Sequence, residues 1–206
     1  MTHTFSIRDA VRFGWEKTRS HSGLLFKVII TLFAVQIGNS IASKVLEGTI
    51  EGFFASLLFA IVGVVLGTGF MRITLKIARG EQAMYGDLIP PLKLAWEYFV
   101  ASLLSGLIIF GGLILLIIPG IYFMLRYMFV RFAVLDGAGI LGSLSSSAKM
   151  TVGVKWKLLV FGLAMIGLNI LGALALMIGL LLTIPITMIA YAHVYDILKK
   201  NVEVGA

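Results

Sequence analysis

Cysteine is absent from this sequence of 206 residues, and only three histidines and four prolines occur. The absence of cysteine excludes disulfides, thiolate metal sites and a cysteine nucleophile. Charged residues make up only 13% of the chain, about half the usual share in a soluble domain. Apolar residues make up 59%, and a soluble domain could not hide that much apolar surface without large exposed patches. The composition therefore predicts an integral membrane protein.

Long apolar runs of about 20 residues predict six membrane-spanning helices. They cover residues 24–42, 52–75, 98–118, 120–136, 157–174 and 176–197. Pro119-Gly120 leaves no room for a loop between the third and fourth spans, because proline ends a helix and glycine allows the reversal. We therefore expect an all-α bundle of three hairpins, folded as a single membrane domain over residues 1–206.

The positions of lysine and arginine predict that both termini lie in the cytoplasm. Basic residues are grouped in the segment before the first span and in the segments that follow the second, fourth and sixth spans. The segment 43–51 between the first two spans carries only Lys44 as a basic residue. The net charge of +7 thus has a membrane explanation and does not require a nucleic acid partner.

An amphipathic helix is predicted before the first span, over residues 6–19. Ser6 can cap it, with Asp9 three residues on, and its basic and apolar residues separate onto two faces. The segment GILGSLSSSAKMTVGVKWKLL repeats this arrangement before the fifth span, and MYGDLIPPLKLAWEYF is a looser third copy. The pattern indicates either three parallel repeats or the basic amphipathic flanks that any hairpin protein needs.

Three segments resemble a large, poorly characterised family of bacterial six-helix membrane proteins. They are IIPGIYFMLRYMFVRFAVLDG, which ends with Asp136 and Gly137, GSLSSSAKMTVGVKWKLLVFG, and LLLTIPITMIAYAHVYDILKK. The family is related to the membrane domain fused to some glycerophosphodiester phosphodiesterases. The resemblance implies a six-helix fold in the bacterial cytoplasmic membrane and little about activity. The catalytic histidine and carboxylate motifs of the soluble phosphodiesterase domain are not found in this sequence.

Few residues could carry out catalysis. His193 and Asp196 lie three apart near the end of the last span, where they could form a proton-handling dyad or half of a metal site. The other interpretation is that both side chains simply place their polar ends among the head groups at the membrane interface. The serines of SLSSS are interpreted as helix-start residues. We therefore expect no enzyme activity, no cofactor and no metal.

Small residues are frequent in the second, third and fifth spans. Glycine lets membrane helices approach one another closely, which favours their association in lipid, where the hydrophobic effect does not drive helices together. The sequence predicts such contacts at Gly63, Gly67, Gly69, Gly106, Gly111, Gly112, Gly162, Gly167 and Gly172.

Two arginines stand in the fourth predicted span. If Pro119-Gly120 is the outer turn, Arg126 lies about 9 Å and Arg131 about 17 Å below it. Arg131 can then extend its side chain towards cytoplasmic head groups. Arg126 is more deeply placed, and a central arginine costs at least about 2.5 kcal/mol unless it is paired or hydrated. Its partner is predicted to be Glu51, or alternatively a lipid phosphate.

Two classes of function remain open. The first is a non-catalytic membrane protein of the bacterial cell envelope that binds lipids, anionic ones above all, or partner proteins, including a second copy of itself. The second is a transporter or channel-like protein for a small or lipidic solute. The scarcity of charge in the spans and the parallel repeats favour the first class.

Overall fold

Nine α-helices make up the part of the chain that this computed structural model describes, residues 5–175 and 179–204, and no strand occurs there. In chain order they are α1 Ile7–Ser20, α2 Ser22–Val45, α3 Ile50–Arg79, α4 Leu92–Leu115, α5 Ile117–Arg126, α6 Val130–Leu135, α7 Gly139–Met150, α8 Lys155–Leu174 and α9 Leu180–Val204. A short 3₁₀ turn, Tyr85–Leu88, lies between α3 and α4. The all-α prediction is confirmed.

Six segments are long and apolar enough to cross a membrane, as the sequence predicts. They are α2, α3, α4, the pair α5 and α6 taken together, α8 and α9. The structure extends the second span to Arg79 and begins the third at Leu92. The predicted start of the sixth span, residue 176, lies outside the described residues.

The amphipathic helix α1 begins as predicted. Ser6 is its N-cap, and the Ser6 hydroxyl accepts a hydrogen bond from the Asp9 N–H at 3.3 Å. Ala10, Gly14 and Thr18 form its buried face, four residues apart, which is the spacing of one helix face. This face packs along α9, and the Phe13 ring stacks on His193 with centroids 4.0 Å apart.

The core is concentrated at one end of the bundle, which we call the basic end: there α1 packs on α9 and α3 finishes at Arg79. Phe129, Phe161 and Tyr195 are fully buried there. The opposite half of the α2–α3 hairpin is exposed, with Val45, Ile50 and Phe53 all more than 60% accessible. Exposed apolar side chains of this kind suit contact with lipid.

The reversal between α4 and α5 does not occur at Pro119-Gly120, so that prediction is wrong. The turn residue is Leu116, whose backbone is extended with φ −167° and ψ 154°. Pro119 lies instead in the first turn of α5, where its missing N–H would have no helical partner anyway. Gly120 contributes close packing and not the turn, because a Cβ at Gly112 would lie 3.2 Å from the Gly120 Cα.

Only some of the predicted glycine contacts are formed. A Cβ at Gly69 would meet the Leu88 backbone, one at Gly112 would meet α5, and one at Gly172 would meet Thr183. At Gly63, Gly67, Gly106, Gly111 and Gly167 a Cβ would meet nothing within 4 Å. Those five glycines therefore do not mark helix contacts among the residues that the structure describes.

The looser third copy of the surface helix is not formed. Its first part makes the 3₁₀ turn, and its second part is the start of α4 itself, which includes Trp96. The turn is held by Lys76 Nζ, which lies 2.6 Å from Asp87 Oδ1. The pair Pro90-Pro91 explains the separation, because a residue that precedes proline is disfavoured in helical geometry, and Ile89 before Pro90 has φ −109° and ψ 88°.

The fourth span is broken between α5 and α6. Phe129 N–H donates to Ser147 Oγ at 3.2 Å, and Ser147 Oγ donates to the Arg126 carbonyl at 2.9 Å. Ser147 is fully buried near the end of α7. The interpretation of the SLSSS serines as helix-start residues is therefore wrong at this position. Ser147 satisfies backbone groups that the helix break sets free, as a break within a membrane protein requires.

Candidate functional site

A cluster of ion pairs at the basic end joins α3, the end of α6 and α9. Arg79 donates two parallel hydrogen bonds to the Asp136 carboxylate, from Nη1 to Oδ1 at 2.7 Å and from Nη2 to Oδ2 at 2.8 Å. Arg79 Nη2 also donates to Asp196 at 2.8 Å. Tyr195 OH and Lys199 Nζ donate to Asp136 Oδ2 at 2.7 Å and 2.8 Å. Such bidentate, charge-assisted geometry fixes helices relative to one another.

The Asp136 carboxylate is strongly stabilised in its charged form. Burial by itself would raise its pKa, but the hydrogen bonds from Arg79, Lys199 and Tyr195 outweigh burial and lower the pKa to about 2. The Asp136 side chain is only 10% exposed. Asp136 is therefore a structural anion that stays charged at neutral pH.

The predicted His193–Asp196 dyad is not formed. Asp196 accepts hydrogen bonds from Arg79, and the His193 ring lies against Phe13. Sequence reasoning counted Arg79 only as a basic flank and missed its role. The few acidic residues of the sequence could have indicated this role. Asp136 and Asp196 lie at the ends of two spans near the same membrane surface, and carboxylates in that position need a cation as partner.

Arg126 does not pair with Glu51, so that prediction is also wrong. Glu51 is exposed in the first turn of α3, at the opposite end of that 30-residue helix from Arg79. None of the ion pairs among the described residues includes Arg126 or Glu51. The reason is the turn at Leu116, which places Arg126 about 15 Å along the helix from the turn and not about 9 Å.

Arg126 lies instead in a basic pocket between the end of α5, the end of α7 and the start of α8. We call it the Arg126 pocket; its volume is about 300 Å³ and its lining is Tyr122, Arg126, Ser145, Ala148, Lys149, Val152 and Lys155. Lys155 Nζ lies 4.0 Å from the centre of the Tyr122 ring. Arg126 Nε is buried and has no hydrogen-bond partner among residues 5–175 and 179–204. Of the described residues that line this pocket, three are cations and none is a carboxylate.

Arg131 lies one helix further on, where this exposed residue lines a separate crevice. Its guanidinium lies 5.9 Å from the centre of the Tyr98 ring on α4. The Arg131 crevice has a volume of about 340 Å³ and is lined by residues of α3, α4, α5, α6, α8 and α9 and of the break between α5 and α6. The two arginines of the fourth span therefore serve different cavities.

No group of metal-binding side chains occurs in the part of the chain that the structure describes. Among residues 5–175 and 179–204, no three histidine, aspartate or glutamate side chains are grouped as a metal ion would require. Cationic side chains line two of the cavities, the Arg126 pocket and the Arg131 crevice.

No family model, no curated protein and no solved structure matches this chain significantly. Membership of the six-helix family that the sequence resembles therefore stays a prediction. The chain is an all-α bundle with six helices suited to crossing a membrane.

Proposed function

We propose that this protein is a non-catalytic integral membrane protein that binds anionic lipid through the Arg126 pocket. The observation that supports this proposal is the composition of the pocket: Arg126, Lys149 and Lys155 converge without a carboxylate among the described lining residues. Like charges gathered in this way repel one another unless an anion joins them. A lipid phosphate is the anion that a membrane surface supplies.

The chemistry of the pocket suits a phosphate head group. An arginine offers a planar fork of N–H donors to phosphate oxygens, and lysines add point charges. The Arg126 Nε donor is already buried and has no partner, so a phosphate oxygen there would satisfy it. Val152 and Ala148 supply apolar lining, which suits the acyl chains of a lipid.

The proposed location is the cytoplasmic leaflet of a bacterial inner membrane, with both termini in the cytoplasm. The positive-inside distribution of lysine and arginine supports this orientation. The resemblance to the bacterial six-helix family supports the source. In this orientation the basic end faces the cytoplasm, where anionic lipid is attracted to basic residues.

Lipid binding can be tested with the purified full chain in nanodiscs containing phosphatidylglycerol as a minor component. Each basic residue near the surface contributes about 1 kcal/mol to the binding of anionic lipid. Replacing Arg126, Lys149 and Lys155 together by glutamine is therefore expected to weaken phosphatidylglycerol retention about a hundredfold.

Two control variants sharpen this test. Lys44→Gln removes an exposed cation from the far end of α2 and is expected to change nothing. Glu51→Gln is expected to be neutral as well, because Glu51 is exposed and makes no ion pair in the described structure. Equal lipid retention by the triple variant and by Lys44→Gln would refute the proposal.

The second candidate function is passage of a small or lipidic solute, and the Arg131 crevice favours it. Its test is movement of a fluorescent lipid analogue between leaflets of proteoliposomes. Movement that depends on the crevice would support this candidate; protein partners would instead appear in a pulldown from mild detergent.

A further inference from the structure

The Arg131 crevice combines an apolar wall with one cationic end. Its apolar lining includes Met71 from α3, Ile109 from α4, Leu163 and Ile166 from α8, and Met188 from α9. Arg131 is the only cation among the described lining residues, and no carboxylate occurs among them. A volume of about 340 Å³ falls within the usual range for ligand pockets, roughly 300 to 1,000 Å³.

The polar and apolar parts of the crevice are separated along the bundle. On α4, Tyr98 lies beside Arg131, and Ser102, Ser105 and Ile109 follow on the same face towards the α4–α5 turn. The distance from Tyr98 to Ile109 along the helix is about 16 Å. That is roughly half of the 30 Å hydrocarbon core of a bilayer, the depth that one leaflet's acyl chains occupy.

A second, independent feature marks the polar end. The Ser102 hydroxyl is buried and has no hydrogen-bond partner in the described structure, although its residue lines the crevice. A buried hydroxyl without a partner costs about 1 to 3 kcal/mol. A ligand oxygen in the crevice could accept a hydrogen bond from Ser102 and remove that cost.

We propose that the Arg131 crevice binds a long-chain fatty acid, with its carboxylate at Arg131 and its chain between α4 and α8. A single guanidinium matches a planar monoanion, since its fork donates two parallel hydrogen bonds to a carboxylate. The three cations of the Arg126 pocket match a phosphate better. The crevice is a different site, so this inference does not depend on the proposed function.

Two walls of the crevice, α4 and α8, have largely different neighbours. Helix α4 packs on α3, α5, α6 and α7, whereas α8 packs on α9 and α5. Helix α5 is the neighbour that they share. Methionines line it at four positions, Met71, Met124, Met128 and Met188, and their flexible side chains adapt to a chain of variable shape.

The experiment uses the full-length protein in phosphatidylcholine nanodiscs and a palmitic acid probe with a diazirine in its chain. After irradiation, we expect the label on α4 between Ser102 and Ile109 or on α8 between Leu159 and Ile166. Unlabelled palmitate is expected to compete. Label spread over the outer surface without competition would overturn the proposal.

Two variants test the site from its two ends. Arg131→Gln is expected to weaken probe binding at least about tenfold, because a charge-assisted pair is lost, and Arg131→Lys is expected to recover part of that loss. Gly106→Leu fills the crevice, since a Cβ at Gly106 meets nothing within 4 Å. Its matched control is Gly111→Leu, which is equally open but does not line the crevice. Gly106→Leu is expected to abolish specific labelling and Gly111→Leu to leave it unchanged.

The outcomes separate this inference from the lipid site at Arg126. Replacing Arg126 by glutamine is expected to leave palmitate labelling unchanged, whatever it does to phosphatidylglycerol. Equal palmitate labelling in the wild type, Arg131→Gln and Gly106→Leu would refute the crevice as a fatty acid site. Labelling of the crevice by a phosphatidylglycerol probe that palmitate cannot displace would also refute it.

Discussion

Asp136 is the side chain on which the basic end depends most. It accepts hydrogen bonds from Arg79, Tyr195 and Lys199, so one carboxylate joins α3 and α9 to the end of α6. Without Asp136, Arg79 keeps only Asp196 and Lys199 keeps only the more distant Glu203 in the described structure, and the loss of one member of a largely buried ion pair is strongly destabilising. The position should therefore be sensitive even to an isosteric change.

Asp136→Asn is expected to lower the free energy of unfolding by roughly 3 kcal/mol, measured by thermal or denaturant unfolding in detergent. The matched control is Glu16→Gln, which breaks an ion pair with Arg12 whose side chains are 78% and 58% exposed. That control should change stability by less than about 1 kcal/mol. Similar losses in both variants would contradict a special role for the cluster.

The same carboxylate predicts the response to acid. Folding lowers the pKa of Asp136 from 3.8 to about 2, so the unfolded chain takes up a proton more readily than the folded protein does. The stabilisation is complete above about pH 4 and is lost as the pH falls towards 2. We expect a loss on the order of 2 kcal/mol between pH 5 and 2. Asp136→Asn should lack this step, and an identical acid profile in both proteins would contradict it.

At the scale of the element, the broken fourth span is the least regular feature of the bundle. The chain leaves helical geometry after Arg126 and resumes it at Val130. Freed backbone groups within a membrane protein need partners from neighbouring helices. Ser147 supplies both, as an acceptor for Phe129 N–H and a donor to the Arg126 carbonyl.

Ser147→Ala is expected to destabilise the protein by about 1 to 2 kcal/mol, because the Phe129 N–H loses its partner and the Arg126 carbonyl keeps only the longer hydrogen bond, 3.4 Å, from Thr151 Oγ1. Ser145→Ala, on the exposed face of the same helix, should change stability by less than about 0.5 kcal/mol. Denaturant unfolding in detergent measures both. Equal effects would mean that Ser147 does not stabilise the break.

At the scale of the whole molecule, the two ends of the bundle differ in character. The basic end carries the core, the ion-pair cluster and the Arg126 pocket, whereas the far half of the α2–α3 hairpin is exposed and apolar. This asymmetry gives the bundle two chemically different ends. The orientation of the protein in the membrane can therefore be tested at two positions, one beyond each end of α3.

Glu47→Cys and Glu81→Cys place single thiols in exposed positions beyond the two ends of α3, in a chain that has no cysteine. Glu47 is chosen because the Thr49 hydroxyl, nearer to α3, caps that helix and has to be kept. In intact cells a membrane-impermeant thiol reagent is expected to label Glu47→Cys and not Glu81→Cys, because basic flanks stay in the cytoplasm. The reverse pattern would contradict the orientation, and equal labelling would contradict a membrane-spanning α3.

The sequence by itself determined the features that depend on local pattern. Apolar runs long enough to cross a bilayer identified all six spans, and a serine at position 6 identified the start of α1. Such features are predictable because hydrogen bonds within a helix and the transfer of apolar side chains into lipid involve only nearby residues. The sequence also showed that Arg126 is a charged residue within an apolar span and therefore needs a partner, because this too depends only on nearby residues.

Only the tertiary structure decided which residues meet. Arg79 pairs with Asp136 and Asp196, and Ser147 bonds to the backbone at the helix break, although these residues are distant in sequence. The turn at Leu116 depends on how α4 and α5 pack. The shift of the turn by about four residues moved Arg126 away from Glu51 and towards Lys149 and Lys155. Sequence periodicity cannot locate such contacts, because a small change in where a helix reverses alters the depth of every residue after it.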